Sequence, residues 1–238
     1  GLLAAPGLPL DTVALAVAWL FALTTVILLA RTFLADVPVA AASAGLLFAA
    51  FLPGAVYLHA VFPLSMFGFF AVLALWLVRQ ERWPAAGAAA AVAAASYHLG
   101  VLLMPLLVAY ALHRRGALKA AAIAAIGPAV VMASMWIQTG VPDAFLRVQE
   151  SYEHDLRPPT KPLSHSLREL GADGFQLHIV PDMQVLFVSA LLLGTGLHLL
   201  RRRATAEPMD WLLLATALAL WVVPLSQRNV GLYRTAAT

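Results

Sequence analysis

Long uncharged, apolar runs separated by short basic loops occupy most of this 238-residue chain. Residues 12–30, for example, carry no charge and are followed at once by Arg31. A soluble fold could not cover so much apolar surface, whereas a helix of about 20 apolar residues spans the core of a bilayer. The pattern therefore predicts an all-α fold, a polytopic bundle of membrane helices.

The composition supports this interpretation. Hydrophobic residues make up 62% of the chain and charged residues 11%, and the mean hydropathy is +0.84, all far from the averages of soluble domains. The net charge of +3 lies mostly in loops beside apolar runs, which favours lipid headgroups rather than nucleic acid as partners. The chain has no cysteine, which excludes disulfides, thiolate nucleophiles and Cys-ligated metals.

The basic loops predict the number of membrane passes. If the three basic clusters all face the cytoplasm, an even number of crossings separates each pair. Residues 83–112 must then form two short helices that turn at residues 96–100. About eight passes are predicted, at residues 12–30, 37–52, 63–78, two within 83–112, 120–139, 183–200 and 211–225. The basic clusters are Arg79 with Arg82, then Arg114, Arg115 and Lys119, then Arg201 to Arg203.

The same topology places residues 140–182 outside, as one long loop that we expect to carry short helices at the membrane surface. Its densest acidic cluster spans residues 150–155, and the spacing there is more typical of a solvated helix face than of a metal site. We expect one transmembrane domain over residues 1–238, belonging to a longer protein. It would lie in the plasma membrane of a bacterium or the endoplasmic reticulum of a eukaryote.

Several short patterns follow one another along the chain. They are residues 46–57 (LLFAAFLPGAVY), 60–67 (AVFPLSMF), 96–103 (SYHLGVLL), 139–145 (TGVPDAF) with Gln149, Tyr152 and Pro158-Pro159, 224–228 (PLSQR) and 231–234 (GLYR). In this order they resemble the PIG-V-like mannosyltransferases, which are membrane glycosyltransferases of the GT-C class. Leu64 stands where that family has Glu, and Tyr97 or His98 stands where it has Arg.

The resemblance implies transfer of a sugar, most simply mannose, from a polyprenyl-phosphate donor to a glycan, lipid or protein acceptor on the non-cytoplasmic side. It places the catalytic carboxylate upstream of this chain, so the catalytic residue is unknown here. A divalent metal is not indicated. Arg suits a donor phosphate because it stays protonated and forms paired hydrogen bonds. The phosphate-binding candidates are Arg234, Arg228, Arg157 and Lys161, and the substrate-cavity candidates are His98, Tyr97, Gln149 and Tyr152.

Other interpretations of these residues remain open. Arg234 beside Tyr233 is also typical of a residue that anchors a helix at the headgroups, and His98 could be a packed, hydrogen-bonded core histidine. At the level of function, the alternatives are a lipid or solute transporter (a flippase included) and a non-catalytic membrane scaffold. Transporters commonly show charges within spans, paired broken helices or repeats, and this sequence predicts one broken pair.

Overall fold

The computed structural model describes residues 9–35, 37–51, 63–141, 143–144, 147, 158, 160, 163–164, 166–168 and 180–226. All regular elements within these ranges are helices, as the sequence predicts. Nine are α-helices: α1 Leu10–Thr32, α2 Val39–Phe51, α3 Leu64–Arg79, α4 Trp83–Ser96, α5 Leu103–Tyr110, α6 Gly116–Ala124, α7 Ile126–Thr139, α8 Val180–Arg201 and α9 Pro208–Ser226. A 3₁₀-helix, His98–Leu102, precedes α5.

Four stretches are long and apolar enough to cross a membrane: Asp11–Thr32, Gly116–Thr139, Asp182–Arg201 and Pro208–Ser226. The others are shorter, with 13 residues in α2, 16 in α3 and 14 in α4. A helix rises about 1.5 Å per residue, so α4 is roughly 21 Å long, short of the ~30 Å hydrocarbon core. The chain is therefore a membrane-type helical protein with four spanning-length stretches in its described part, and eight passes stay a prediction.

The contacts divide the chain into two compact units, Gly1–Val130 and Val131–Thr238. In the first unit, α1 and α3 lie parallel. The ring of Phe21 packs 5.5 Å from that of Phe69, and ten residues further along α3 the Nη1 of Arg79 donates a hydrogen bond to the carbonyl of Thr32, at 2.7 Å. Because both contacts advance in the same direction along the two helices, α1 and α3 end at the same end of the unit.

Helix α4 packs in parallel against α6 and the start of α7. The contacts advance together along both partners, from Trp83 beside Gly116, through Gly87 beside Ala120, to residue 91 beside Gly127. The side chains of α4 that are buried are all small: Ala86, Gly87, Ala89, Ala90, Ala93 and Ala94. Small residues let two helix backbones approach closely. The Ala-rich run at residues 85–95 of the sequence predicts such a close-packing helix, and the buried face of α4 confirms it.

These parallel pairs gather the basic residues of the first unit at one end. An ion pair of 3.4 Å between Glu81 Oε1 and Arg114 Nε joins the loop after α3 to the loop before α6. The end of α1 lies beside the end of α3 through the bond from Arg79 to Thr32. We call this the basic end, and its residues are Arg31, Arg79, Arg82, Arg114 and Arg115. The two clusters that the charge rule assigns to one side thus lie together in the structure.

The loop after α3 is a Schellman motif. The N–H of Arg82 donates to the carbonyl of Leu77 and the N–H of Glu81 to that of Val78, each at 2.9 Å. Such a motif needs a left-handed residue at its penultimate position, usually glycine. Here Glu81 takes that conformation, with φ of 54°. The turn brings α4 back antiparallel to α3.

In the second unit, α8 and α9 form an antiparallel hairpin of two spanning-length helices. The indole Nε1 of Trp221 donates to Ser189 Oγ at 3.0 Å, and a Cβ on Gly196 would meet Leu214 at 3.7 Å. Both pairs are equally spaced about the turn at residues 202–207, as an antiparallel register requires. Separately, Ser166 Oγ donates to Asp182 Oδ1 at 2.6 Å.

Candidate functional site at a helix break

The apolar stretch after Trp83 is interrupted where the sequence predicts a turn. Helix α4 ends at Ser96, whose Oγ donates to the carbonyl of Val92 at 2.7 Å. Tyr97 is then fully extended, with φ of −150° and ψ of 138°, and the 3₁₀-helix follows. We call Tyr97 and His98–Leu102 together the break. Continuous helical hydrogen bonding is absent there, which confirms the predicted pair of short helices.

Gly100 makes the sharpness of this turn possible. Its N–H donates to the carbonyl of Tyr97 at 2.8 Å, and the residue packs closely against the backbone of α4. A Cβ at this position would come within 2.5 Å of the Ala93 carbonyl carbon and oxygen. Only glycine fits so close to a neighbouring backbone, so the direction in which α5 returns depends on this residue.

Two polar aromatic side chains stand at the break. The ring centroids of Tyr97 and His98 are 4.3 Å apart, and Tyr97 packs 5.6 Å from Phe67 at an angle of 50°. Both Tyr97 and His98 are half-buried, whereas the next two residues, Leu99 and Gly100, are buried. Their hydroxyl and imidazole groups can donate and accept hydrogen bonds, which is unusual chemistry between two otherwise apolar helices.

The break lies at the end of α4 opposite to the basic end, because α4 begins at Trp83 beside the basic loop and ends at Ser96. Phe67 belongs to the first turn of α3, which runs towards the basic end, so its contact with Tyr97 agrees with this placement. Since α4 is shorter than a spanning helix, the break is placed below the membrane surface if Arg82 lies at the opposite interface.

Of the predicted site residues, the structure brings together Tyr97 and His98. The other six, Gln149, Tyr152, Arg157, Lys161, Arg228 and Arg234, lie outside the described residues. The long loop is described only in part. Within it Asp143 Oδ2 accepts a hydrogen bond from Arg147 Nε at 2.9 Å, one helical turn apart.

No group of three or more metal-binding side chains occurs among the residues that the structure describes. The acidic cluster at residues 150–155 falls outside them. Sequence reasoning missed Phe67, the aromatic side chain that contacts Tyr97. Its position next to the site depends on the packing of α3 against α4, for which a local pattern gives no signal.

Comparisons with known proteins give no relative: no family model, curated protein or solved structure matches this chain.

Proposed function

We propose that this chain is part of a membrane glycosyltransferase of the GT-C class that takes a sugar from a polyprenyl-phosphate donor on the side of the membrane opposite to the basic end. One observation carries the proposal. Tyr97 and His98 form a polar break between short apolar helices, at the end of α4 away from the basic loops. Non-helical backbone within a membrane is tolerated where it is buried in protein or lines a water-filled cavity.

The chemistry of such a transfer fits a site of this kind. The acceptor hydroxyl oxygen attacks the anomeric carbon, the bond from that carbon to the phosphate oxygen breaks, and the polyprenyl phosphate leaves. A carboxylate takes the acceptor proton. Tyr97 and His98 would hold sugar hydroxyls by hydrogen bonds. The order of the sequence segments that resemble PIG-V-like mannosyltransferases supports mannose as the sugar.

The donor phosphate needs a cation on the same side. We propose Arg234 for this role, with Arg228, Arg157 and Lys161 as further candidates, because a guanidinium forms two charge-assisted hydrogen bonds to a phosphate. Charged hydrogen bonds contribute about 1.5–3 kcal/mol, so Arg234→Ala should lower kcat/KM for the donor about ten- to a hundredfold. Arg234→Lys keeps the charge and should recover part of the loss.

The test is sugar transfer by the full-length protein, reconstituted in vesicles with a radiolabelled polyprenyl-phosphate mannose. His98→Ala should lower kcat/KM about three- to tenfold, the effect of losing one substrate hydrogen bond. His113→Ala is the matched control, since His113 is an exposed histidine in the loop at the basic end and should leave transfer unchanged. For Arg234→Ala, the control is Arg202→Ala in the loop after α8.

Each outcome decides something. If His98→Ala leaves sugar transfer unchanged, the break is not part of the substrate site. If Arg234→Ala leaves it unchanged, Arg234 does not bind the donor phosphate. If the wild-type protein transfers no sugar from any polyprenyl-phosphate donor, the glycosyltransferase proposal is wrong. Movement of the intact lipid or of a solute across the vesicle membrane would then assign the chain to the transporters.

A further inference from the structure

A groove runs along the first unit between the parallel helices α1 and α3, next to the basic end. Its volume is about 460 Å³, within the usual range for small-molecule sites. We call it the α1–α3 groove. Five side chains come from the last two to three turns of α1 and two from α3: Thr24, Ile27, Leu28, Arg31, Thr32, Phe69 and Trp76.

The interior of the groove is apolar although two threonines line it. Thr24 Oγ1 donates to the carbonyl of Leu20 at 2.7 Å, and Thr32 Oγ1 donates to the carbonyl of Leu28. Because both hydroxyl protons are donated to carbonyls of α1, these threonines offer a ligand no hydrogen-bond donor. Apart from Arg31 at one end, the remaining lining side chains are aliphatic or aromatic. This surface suits a hydrocarbon chain.

The two ends of the groove differ. At the end away from the basic loops, Phe21 packs against Phe69 and Phe70, with ring centroids 5.5 and 5.9 Å apart. At the basic end, Arg79 ties α3 to α1 through the carbonyl of Thr32. Between the Phe21–Phe69 contact and the Arg79–Thr32 hydrogen bond, the groove is lined by apolar side chains at one end. At the other end it is lined by the guanidinium of Arg31.

The positive charge of Arg31 at the basic end has no acidic partner among the described residues. The ion pairs among those residues join Glu81 to Arg114 and Asp143 to Arg147. Arg31 is exposed, and the indole N–H of Trp76 forms no hydrogen bond to another described residue. An arginine and a tryptophan at the end of an apolar helix are typical of the headgroup layer.

We propose that the α1–α3 groove binds one anionic phospholipid, with an acyl chain between α1 and α3 and the headgroup phosphate on Arg31. The charge pattern selects this occupant. A zwitterionic lipid would bring its ammonium group towards Arg31 and Arg79, and a free phosphate would leave the apolar walls in water. Since the groove lies at the basic end and the break at the other, this inference does not depend on the proposed function.

The test counts lipids bound to the detergent-purified full-length protein by native mass spectrometry. The probes are dioleoyl phosphatidylglycerol, dioleoyl phosphatidylcholine and inorganic phosphate. We expect one tightly held phosphatidylglycerol. Arg31→Gln should weaken it about fivefold, the ratio that corresponds to about 1 kcal/mol for one basic residue at an anionic surface. Arg115→Gln, an exposed arginine of the same end outside the groove, should have no effect.

A second pair of variants tests the apolar part. Val26 and Ile27 are neighbours in α1 and each is 45% exposed, but only Ile27 lines the groove. Ile27→Trp should displace the acyl chain and reduce phosphatidylglycerol occupancy at least as strongly as Arg31→Gln. Val26→Trp should not. Because both positions are largely exposed, neither substitution removes buried packing.

Four results would overturn the proposal. Equal binding of phosphatidylcholine would show that the headgroup charge is irrelevant, and equal retention of inorganic phosphate would show that only an anion is held. Equal losses with Arg115→Gln and Arg31→Gln would indicate diffuse surface attraction. A protein dimer in the spectrum that Ile27→Trp abolishes, and Val26→Trp does not, would make a second copy of this chain the occupant.

Discussion

The close approach of α4 and α7 depends on Gly127, and adding a single methyl group there should push the two helices apart. A Cβ on Gly127 would lie 2.1 Å from the Ala91 carbonyl oxygen, more than 1 Å shorter than a close carbon–oxygen contact of about 3.3 Å. The obstacle is backbone, which cannot rotate away as a side chain can. Overpacking of this kind costs about 1–3 kcal/mol.

Gly68 in α3 is the matched control, since a Cβ there would meet nothing within 4 Å. Both substitutions replace glycine by alanine within a helix, which by itself stabilises by up to about 1 kcal/mol. The difference between the two variants therefore isolates the packing cost. We expect Gly127→Ala to be less stable than Gly68→Ala by about 1–3 kcal/mol. Unfolding by dodecyl sulfate in mixed micelles, followed by tryptophan fluorescence, measures both. Equal stability of the two variants would refute the packing argument.

Three further predictions concern single turns. Glu81→Gly should stabilise the protein in the same assay by up to about 1 kcal/mol, because relief of the left-handed backbone outweighs an exposed ion pair to Arg114; a clear loss would mean that the pair dominates. The hydrogen bond from Arg147 holds the pKa of the Asp143 carboxyl below its usual range. The stabilisation that this hydrogen bond gives is present at neutral pH and is lost as the pH falls through the lowered pKa of Asp143. Arg147→Ala should raise the pKa of Asp143, which a carboxyl carbon NMR titration measures. Gly100→Ala should destabilise the protein by about 1–3 kcal/mol, and a neutral result would show that the break can open at little cost.

Much of the first unit could be predicted from the sequence because its features are local. The basic loops and the requirement for even numbers of crossings predict two short helices within residues 83–112, and the break at Tyr97 confirms them. The Ala-rich run predicts close packing, which the buried face of α4 confirms. Charge, length and small side chains act within one helix or one loop, so they can be inferred without knowledge of the neighbours.

The features that the sequence did not predict depend on which helices are neighbours. Glu81 in a left-handed conformation departs from the preference for glycine, and its ion pair to Arg114 becomes possible only because α4 and α6 are parallel. The α1–α3 groove likewise needs the ends of two helices to lie side by side. One local signal was available. Arg31 directly ends an apolar run, and Trp76 lies one turn before Arg79.

The shortness of α4 and α5 connects packing with the proposed site. Two helices that cannot reach both membrane surfaces must bury their ends against protein, since lipid offers no partner for exposed backbone groups. Small residues on α4 allow this, because they let α6 and the start of α7 pack closely along one face of it. The same burial leaves Tyr97 and His98 at the point between α4 and α5 where helical hydrogen bonding is interrupted.

A change such as Gly127→Ala should therefore disturb the break as well as the helix pair. If transfer activity falls in that variant while His113→Ala leaves it intact, the packing of α4 supports the site. If Gly127→Ala loses stability but keeps full activity, the break does not depend on that packing.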